Sequence, residues 1–388
     1  MNILWIDWNS YGKSDILTTL QSLGHEICSL PLDARNYRMD PQYKHKVKDT
    51  ITQGSCDLVF SSNYFPVVSE ACKEKKIPYV AWCYDSPMIL LYHKSVVNPC
   101  NYIFLFDSHL YFDLQKKGVQ TVYYMPMAVN SGRLASMQLS KEERQLYGAE
   151  VSFVGSMYSE KHNLYDRMEA LDDFTRGYLE AVMAAQRKIY GVYFLEDVLN
   201  DDIIENMQKA LRFETSRDGF ETPAYVYANY FLCRKMAELE RKEALEQISS
   251  RYSMKLYTHQ PTPELPAVKN MGQADYEQQM PKVFMASKIN LNITLRSIVS
   301  GIPLRAMDIM GAGGFLLTNY QADFLEYFTP GEDYVYYESM EDMMDKIAYY
   351  LAHDKEREQI AANGCKKVRE EHSYERHLTE ILDIVTCR

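Results

Sequence analysis

The sequence predicts an α/β protein made of two Rossmann-like parallel-sheet domains, with a cleft between them and a helical insertion in the second. Three observations lead there. Short, near-continuous apolar runs alternate with helix-compatible segments through the first 130 residues, the pattern of a parallel sheet covered on both faces. The same rhythm reopens at VSFVGS (151–156) and resumes after residue 253. Between about 164 and 250 it gives way to an almost wholly helical pattern. The expected divisions are 1–145, 146–372 with the insertion, and a last helix over 373–388.

Taken in order, NILWI (2–6) reads as the first strand, followed by the loop NSYGKSD. Ile16, Leu17, Leu20 and Leu23 then recur at helical spacing before Gly24 and the strand EICSLPL. DLVFSS, IPYVAWCY, NYIFLF and VQTVYYMP are four more runs of strand length. In the insertion, Leu171, Phe174, Tyr178 and Val182 fall on one helical face, and Met236, Leu239 and a Glu238–Lys242 pair suggest a later exposed helix. SMKLYTH, SKINLNI, GFLLTN and YVYYE restore the strands. A surface helix follows Ser339, and a final helix from Ser373 places Tyr374, Leu378, Ile381 and Val385 on one side. Sheets of this kind bind ligands beyond the carboxyl ends of their strands.

At 388 residues the chain is long enough for two domains. The formal net charge of −11 argues against a nucleic-acid partner, because phosphate backbones require basic patches. No apolar run approaches the ~18 residues of a membrane span. The N-terminal NILWIDW reads as a buried strand and not as a signal peptide. The eight cysteines show no CxxC or metal-ligand spacing, which suits buried thiols in a reducing cytoplasm. None of the nine histidines forms a metal-like cluster. The expectation is a cytoplasmic protein without a bound metal or cofactor.

The most informative stretch is SGIPLRAMDIMGAGGFLLTN (300–319). Pro303 suits a first helical turn, so the N–H groups and positive dipole end at Ser300, Gly301 and Ile302 form an anion site. Gly301 lets a phosphate approach the backbone. Arg305 can add a bidentate phosphate contact, and Asp308, three residues on, can accept hydrogen bonds from both hydroxyls of a ribose. The same two residues would also serve as a surface i,i+3 ion pair of a few tenths of a kcal/mol.

VSFVGSMYSEKHN, SKINLNITLRSIVSGIPLRAMDIMGAGGFLLTN and ERHLTEIL together resemble the CgeB-like glycosyltransferases, over nearly the whole chain and most densely from about Ser287 to His377. The resemblance implies a GT-B fold, a sugar-nucleotide donor on the C-terminal domain, an acceptor on the N-terminal one, and catalysis without a metal. It also implies a last helix that crosses back to the first domain. The broader relatives have a Glu-x7-Glu motif whose second acid, the ribose ligand, aligns with Asp308. The first acid aligns with Ser300, a departure that leaves the sugar and a retaining mechanism open. Many relatives have a His-Asp pair where this chain has Tyr84-Asp85 in VAWCYDSP. Tyr84 cannot replace a histidine near neutral pH, so Asp85 is either the general base or an Asx-type turn before Pro87.

Tyr11, Gly12, Lys13 and Ser14, in the first strand-to-helix loop, either contact the acceptor or the donor phosphates, or serve locally, Ser14 as a helix cap. That loop lacks both the GxGxxG and the P-loop fingerprints. Arg296 is either a second phosphate ligand or an exposed arginine. Gly155 and Ser156 either admit the diphosphate or form a plain strand-end turn. Gly272 falls where related enzymes hold the nucleobase through backbone contacts. The expected reaction moves a sugar from a nucleoside-diphosphate donor, UDP-sugar favoured, to a glycan, protein or small-molecule acceptor. The alternatives are a sugar-nucleotide epimerase or hydrolase, and a non-catalytic nucleotide-sugar-binding protein.

Overall fold

The computed structural model describes residues 1–160 and 163–387; Lys161 and His162 of the VSFVGSMYSEKHN stretch, and Arg388, lie outside the described residues. The chain divides into two compact units. One comprises Met1–Asn130, Ser216–Glu221 and the residues from Glu371 onward; the other comprises Ser131–Thr215 and Thr222–Glu370.

In the first unit β1 (Asn2–Asp7), β2 (Glu26–Pro31), β3 (Leu58–Ser62), β4 (Tyr79–Cys83), β5 (Asn101–Leu105) and β6 (Val122–Tyr124) form a parallel sheet in the order β2-β1-β3-β4-β5-β6. Strands β3 and β4 are buried along their whole length, as their uninterrupted apolar and small residues require when helices cover both faces. The core joins Trp5, Phe60, Val80, Trp82 and Phe104 to Ile16 and Leu20 of the Lys13–Ser22 helix. Tyr374, Leu378, Ile381, Leu382 and Val385 of the Tyr374–Thr386 helix belong to that same core. Its N-terminus is fixed by a Ser373 cap and by a parallel bridge between Val129 and Ser373. Each such apolar side chain contributes about 1.5–3 kcal/mol on burial.

The second unit holds β7 (Val151–Val154), β8 (Met254–Tyr257), β9 (Lys269–Asn270), β10 (Ile289–Asn292), β11 (Leu316–Asn319) and β12 (Val335–Tyr337), all parallel, in the order β12-β11-β10-β7-β8-β9. This is the doubly wound order of a Rossmann fold, with its switch point between β7 and β10. The Ser131–Ser136 helix and the start of the Lys141–Tyr147 helix, which the expected boundary at 145 places in the first domain, belong here. Lys282 pairs with Glu143 at 2.5 Å, and Arg133 donates to the Glu277 carbonyl at 2.9 Å, holding both helices to this unit.

The insertion is helical at Asp173–Gln186, Asp201–Ala210 and Cys233–Ser249, but its faces differ from the expected ones. Helix Asp173–Gln186 buries Thr175, Leu179 and Met183 and exposes Phe174, because the Asp172 cap sets the register. Helix Cys233–Ser249 buries Met236, Glu240, Arg241, Ala244, Leu245 and Ile248, whereas Leu239 is exposed. Glu238 pairs with Lys235 at 3.0 Å and not with Lys242. Two-residue β9 has no apolar run to announce it. The eight cysteines are unpaired; Cys72, Cys83 and Cys233 are buried, but Cys28 and Cys387 are exposed. Among the described residues no helix is long and apolar enough to cross a membrane.

Candidate functional site

All six strands of the second unit run parallel, so their carboxyl ends share one edge. At the switch point the loops after β7 (155–158) and β10 (293–303) meet there. The Leu304–Gly311 helix starts from the second of these loops, so its N-terminus lies at that edge. Pro303 is its N-cap, with extended backbone, and not its first helical residue. The helix ends in Gly313 at φ +82 and in Gly314, where a Cβ would meet the Phe284 carbonyl and the Asn290 amide. These two glycines let the chain turn tightly into β11.

The two charges of this helix do not pair with each other. Asp308 is buried at 8% exposure and accepts a hydrogen bond from the Tyr276 hydroxyl at 3.0 Å. Arg305 rests its guanidinium on the Met280 sulfur and above the Phe284 ring, 5.8 Å from its centre. Among the described residues Arg305 has no carboxylate partner. A surface ion pair is therefore excluded, and a half-buried cation stands at the first turn of the helix. The preceding loop is tied toward β11: Gln321 donates to the Ile298 and Gly301 carbonyls at 2.8 and 3.1 Å, and the Asp323 N–H donates to the Ser300 carbonyl at 3.0 Å. Ser300, Gly301 and Ile302 are all buried by this arrangement.

Gly155 continues the β7 ladder through its N–H to the Tyr257 carbonyl at 3.1 Å. Ser156 turns its carbonyl to Arg241 at 2.5 Å, while its hydroxyl donates to the Gln260 side chain at 3.2 Å. Gly272 sits at φ +79 in an exposed turn after β9, its N–H on the Asn270 side chain at 3.0 Å. The loop it opens leads to Tyr276 and so to Asp308.

Arg296 is neither exposed nor placed for a phosphate. At 7% exposure it is held by Glu240 at 2.6 Å, donates to the Arg187 carbonyl at 3.2 Å and lies 3.5 Å from the Tyr190 ring centre. The next residue, Arg241, donates to both switch-point loops, to the Ser156 carbonyl at 2.5 Å and the Ile293 carbonyl at 2.6 Å. Glu240, Arg241, Gln260 and Tyr276 are the site residues that sequence reasoning missed. A charged pair at 240–241 on the apolar face of a helix was the one visible signal.

In the first unit the switch point lies between β1 and β3. The buried Asn63, at φ 77, accepts the N–H groups of Tyr84 and Asp85 at 2.8 and 3.1 Å and donates to the Asp85 carboxylate at 2.7 Å. Asp85 is exposed, with its carboxylate oriented by that carboxamide. The Tyr84 hydroxyl lies 3.0 Å from that of Tyr374. Gly12 is the left-handed N-cap of the Lys13–Ser22 helix, and any Cβ there would collide with the Tyr374 hydroxyl. Ser14 is therefore not the cap: it lies inside the first turn and is exposed. Lys13 is engaged by Asp7 at 2.5 Å, which removes it as an uncommitted phosphate ligand. Tyr11 is exposed. No group of three or more metal-ligand side chains gathers among the described residues.

A family model described as glycosyl transferase-like matches residues 234–383. No curated protein matches the chain in sequence. Among solved structures the chain is similar to sucrose-phosphate synthase of Thermosynechococcus elongatus, with a TM-score of 0.61 and 10% identity over 99% of this chain and 98% of that one. It is similar to Anabaena HepE in complex with UDP and glucose, with a TM-score of 0.58 and 11% identity over 100% of both chains. T4 phage BGT in complex with UDP-glucose gives 0.50 and 10% over 99% of both. At these identities the likeness is one of fold, two Rossmann-like domains of the GT-B kind.

Proposed function

We propose that the chain is a glycosyltransferase of the CgeB-like group, moving a sugar from a UDP-sugar to a glycan, protein or small-molecule acceptor. The observation that supports it most is the helix start at the second unit's switch point, where Arg305 has no carboxylate partner among the described residues and buried Asp308 is oriented by Tyr276. The glycosyl transferase-like match includes both residues. UDP is the favoured nucleotide because two of the similar structures hold UDP with glucose or UDP-glucose.

In this reading the second unit binds the donor. The diphosphate lies against the backbone of Ser300, Gly301 and Ile302, with Arg305 beside it, and Asp308 takes the ribose hydroxyls. The glycine turns at Gly155 and Gly272 let the diphosphate and the base approach the backbone. During transfer the bond between the anomeric carbon and the diphosphate oxygen breaks, and the leaving UDP is stabilised by the helix dipole and Arg305. The acceptor, received by the first unit, supplies the oxygen of the new bond, and Asp85 takes its proton. The charge on the diphosphate is met by these groups, so no cofactor is assigned and turnover is expected to persist in EDTA.

A thermal-shift panel of UDP, GDP, dTDP and CDP, on the wild type and on Asp308→Ala, tests the donor site. At a hundredfold excess over its dissociation constant a ligand adds about 2.7 kcal/mol of stability. One nucleotide should raise the midpoint of the wild type and lose that effect in Asp308→Ala. If no nucleotide shifts the wild type, the transferase reading falls.

A further inference from the structure

The first unit contains a cavity of about 220 Å³ that the donor chemistry does not use. Its walls come from the carboxyl edge of the sheet: residues 38–44 follow β2, Val67 and Glu70 lie on the helix after β3, and His93 and Lys94 follow β4. That is the edge where an α/β sheet receives ligands. The last wall comes from the insertion. Segment Ser216–Glu221 returns to this unit, where Gly219 forms an antiparallel bridge with His93. The Lys94 N–H donates to the Asp218 carbonyl at 2.8 Å, and Phe220 packs on Tyr92 with ring centres 5.2 Å apart. Glu221 is anchored by Arg38 at 2.7 Å. A Cβ on Gly219 would meet the Glu221 carboxylate and the Arg38 guanidinium, so a larger residue there would have to shift that pair. This strap delivers the Asp218 side chain to the cavity.

The lining combines both hydrogen-bonding senses with an apolar floor. Lys94 and Asp218 pair at 2.6 Å, Lys44 pairs with Glu74 at 2.7 Å, and Glu70 accepts from Asn98 at 3.0 Å. Met39, Pro41 and Val67 supply the apolar surface. His93 is 3% exposed, and its Nδ1 accepts the Ser95 N–H at 3.1 Å, which assigns the proton of the neutral ring to Nε2. Burial, and then the Arg38 charge, lower its pKa, so it presents a neutral donor at pH 7. Ser95 is in turn fixed by the buried Tyr64 hydroxyl at 2.7 Å.

The three cations of the wall are each already paired, Arg38 with Glu221, Lys44 with Glu74 and Lys94 with Asp218, so an anionic ligand would break one of these pairs. Asp40 and Glu70 accept from neutral N–H donors instead. Hydroxyl groups, which donate and accept together, meet both the cations and the carboxylates without that cost. The volume is far above the ~10–15 Å³ one water needs and below the ~300–1,000 Å³ of drug-sized sites. A single pyranose ring has this scale and this mixture of C–H face and hydroxyl rim.

We propose that this cavity is an acceptor subsite that takes one neutral sugar ring, and that the insertion exists in part to complete it. The word acceptor rests on the glycosyltransferase reading; the sugar site itself does not.

The test uses the full-length protein with free glucose, galactose, mannose, N-acetylglucosamine and glucuronate as probes, and inorganic phosphate alongside, read by ligand-observed NMR. At least one neutral sugar should bind, and its affinity should fall about tenfold in Asp218→Ala and in Lys94→Ala. Both side chains are partly exposed, and thermal unfolding verifies that the variants fold. Met39→Trp, at the exposed mouth of the cavity, provides a third variant that should block entry without altering either charge. Binding by no neutral sugar, binding by glucuronate or phosphate alone, or binding undiminished in the folded variants overturns the proposal. UDP thermal shift on the same samples separates the two readings. Sugar binding without UDP binding counts against the donor site, and UDP binding without sugar binding counts against the cavity.

Discussion

At the switch point of the second unit the loops are held by charge: Arg241 spans the Ser156 and Ile293 carbonyls, and its neighbour Glu240 holds Arg296. In the first unit the Lys13–Asp7 pair stands at the end of β1, but the loop after β4 is held by neutral groups, the Asn63 carboxamide on the 84–85 peptides and the Tyr84–Tyr374 hydroxyl pair. Both satisfy buried backbone groups, as they must. They leave different fields behind. A buried guanidinium beneath the loops adds fixed positive charge where a diphosphate is proposed to lie. The neutral network leaves hydroxyls and amides, the partners that an uncharged, polyhydroxylated acceptor needs. Under the proposed function, the scaffolding beneath each loop complements the ligand assigned to it, charge under the diphosphate and neutral groups under the acceptor.

The sharpest way to break this comparison is to remove one scaffold at a time. Glu240→Ala leaves Arg296 buried without its carboxylate, and should cost about 3–5 kcal/mol. Asn63→Ala removes neutral hydrogen bonds, and should cost about 1–3 kcal/mol. Urea unfolding of both variants measures the difference. Equal losses would mean that the charged scaffold has no special energetic weight.

Next in size is a separation of roles. Asp85→Asn, which keeps shape and the contact with Asn63, should lower turnover about 10²-fold or more while leaving UDP affinity unchanged. Asp308→Ala should do the reverse in the first instance, weakening UDP by about 1.5–3 kcal/mol, the worth of hydrogen bonds to a charged group. Calorimetry with UDP and steady-state transfer assays read the two effects independently. Loss of UDP binding in Asp85→Asn would overturn the proposed division of labour between the units.

How much of this was legible in the sequence follows from the range of each signal. Every strand but the two-residue β9, and the final helix, were readable because apolar periodicity is local and their cores demand it, as with Leu378, Ile381 and Val385. The 300–319 stretch disclosed its helix through Pro303 and its glycines for the same reason. Arg296 misled because its partner Glu240 lies 56 residues away, a distance no periodicity spans. The strap SRDGFE carries no repeat at all, and its place on β4's loop is fixed by backbone bridging that any sequence could make. Apolar spacing groups Phe174 with Leu171, Tyr178 and Val182 on one face, yet the helix buries Thr175, Leu179 and Met183 and leaves Phe174 exposed. Long-range pairing and cap register were the unreadable terms.

A pH scan sharpens the comparison from the first unit's side. His377 is buried against Trp82 and lies 3.2 Å from His372. Burial, then His372, then Arg376 lower its pKa from 6.5 to about 3. The unfolded chain therefore binds a proton between pH 6.5 and 3 that the folded chain refuses. The stability it contributes is complete above about 6.5 and is lost as pH falls through that window, at up to about 1.4 kcal/mol per unit. Urea midpoints at several pH values should show this slope, flattened in His377→Gln. A slope unchanged by the substitution would place the acid sensitivity elsewhere.

The smallest effect distinguishes packing from hydrogen bonding at the neutral scaffold. Tyr84→Phe removes one hydroxyl of the pair with Tyr374 and keeps the ring against Trp82, whose centre lies 5.7 Å away. The expected loss is about 0.5–1.5 kcal/mol, with UDP affinity untouched. Gly12→Ala gives the contrasting case, because a Cβ at that left-handed position collides with the Tyr374 hydroxyl and displaces it bodily. If Tyr84→Phe and Gly12→Ala destabilise equally, the hydroxyl pair itself is what holds the last helix at the first unit's switch point. If Gly12→Ala is the costlier, steric fit between the loop and that helix is the stronger constraint, and the hydroxyl pair is secondary to it.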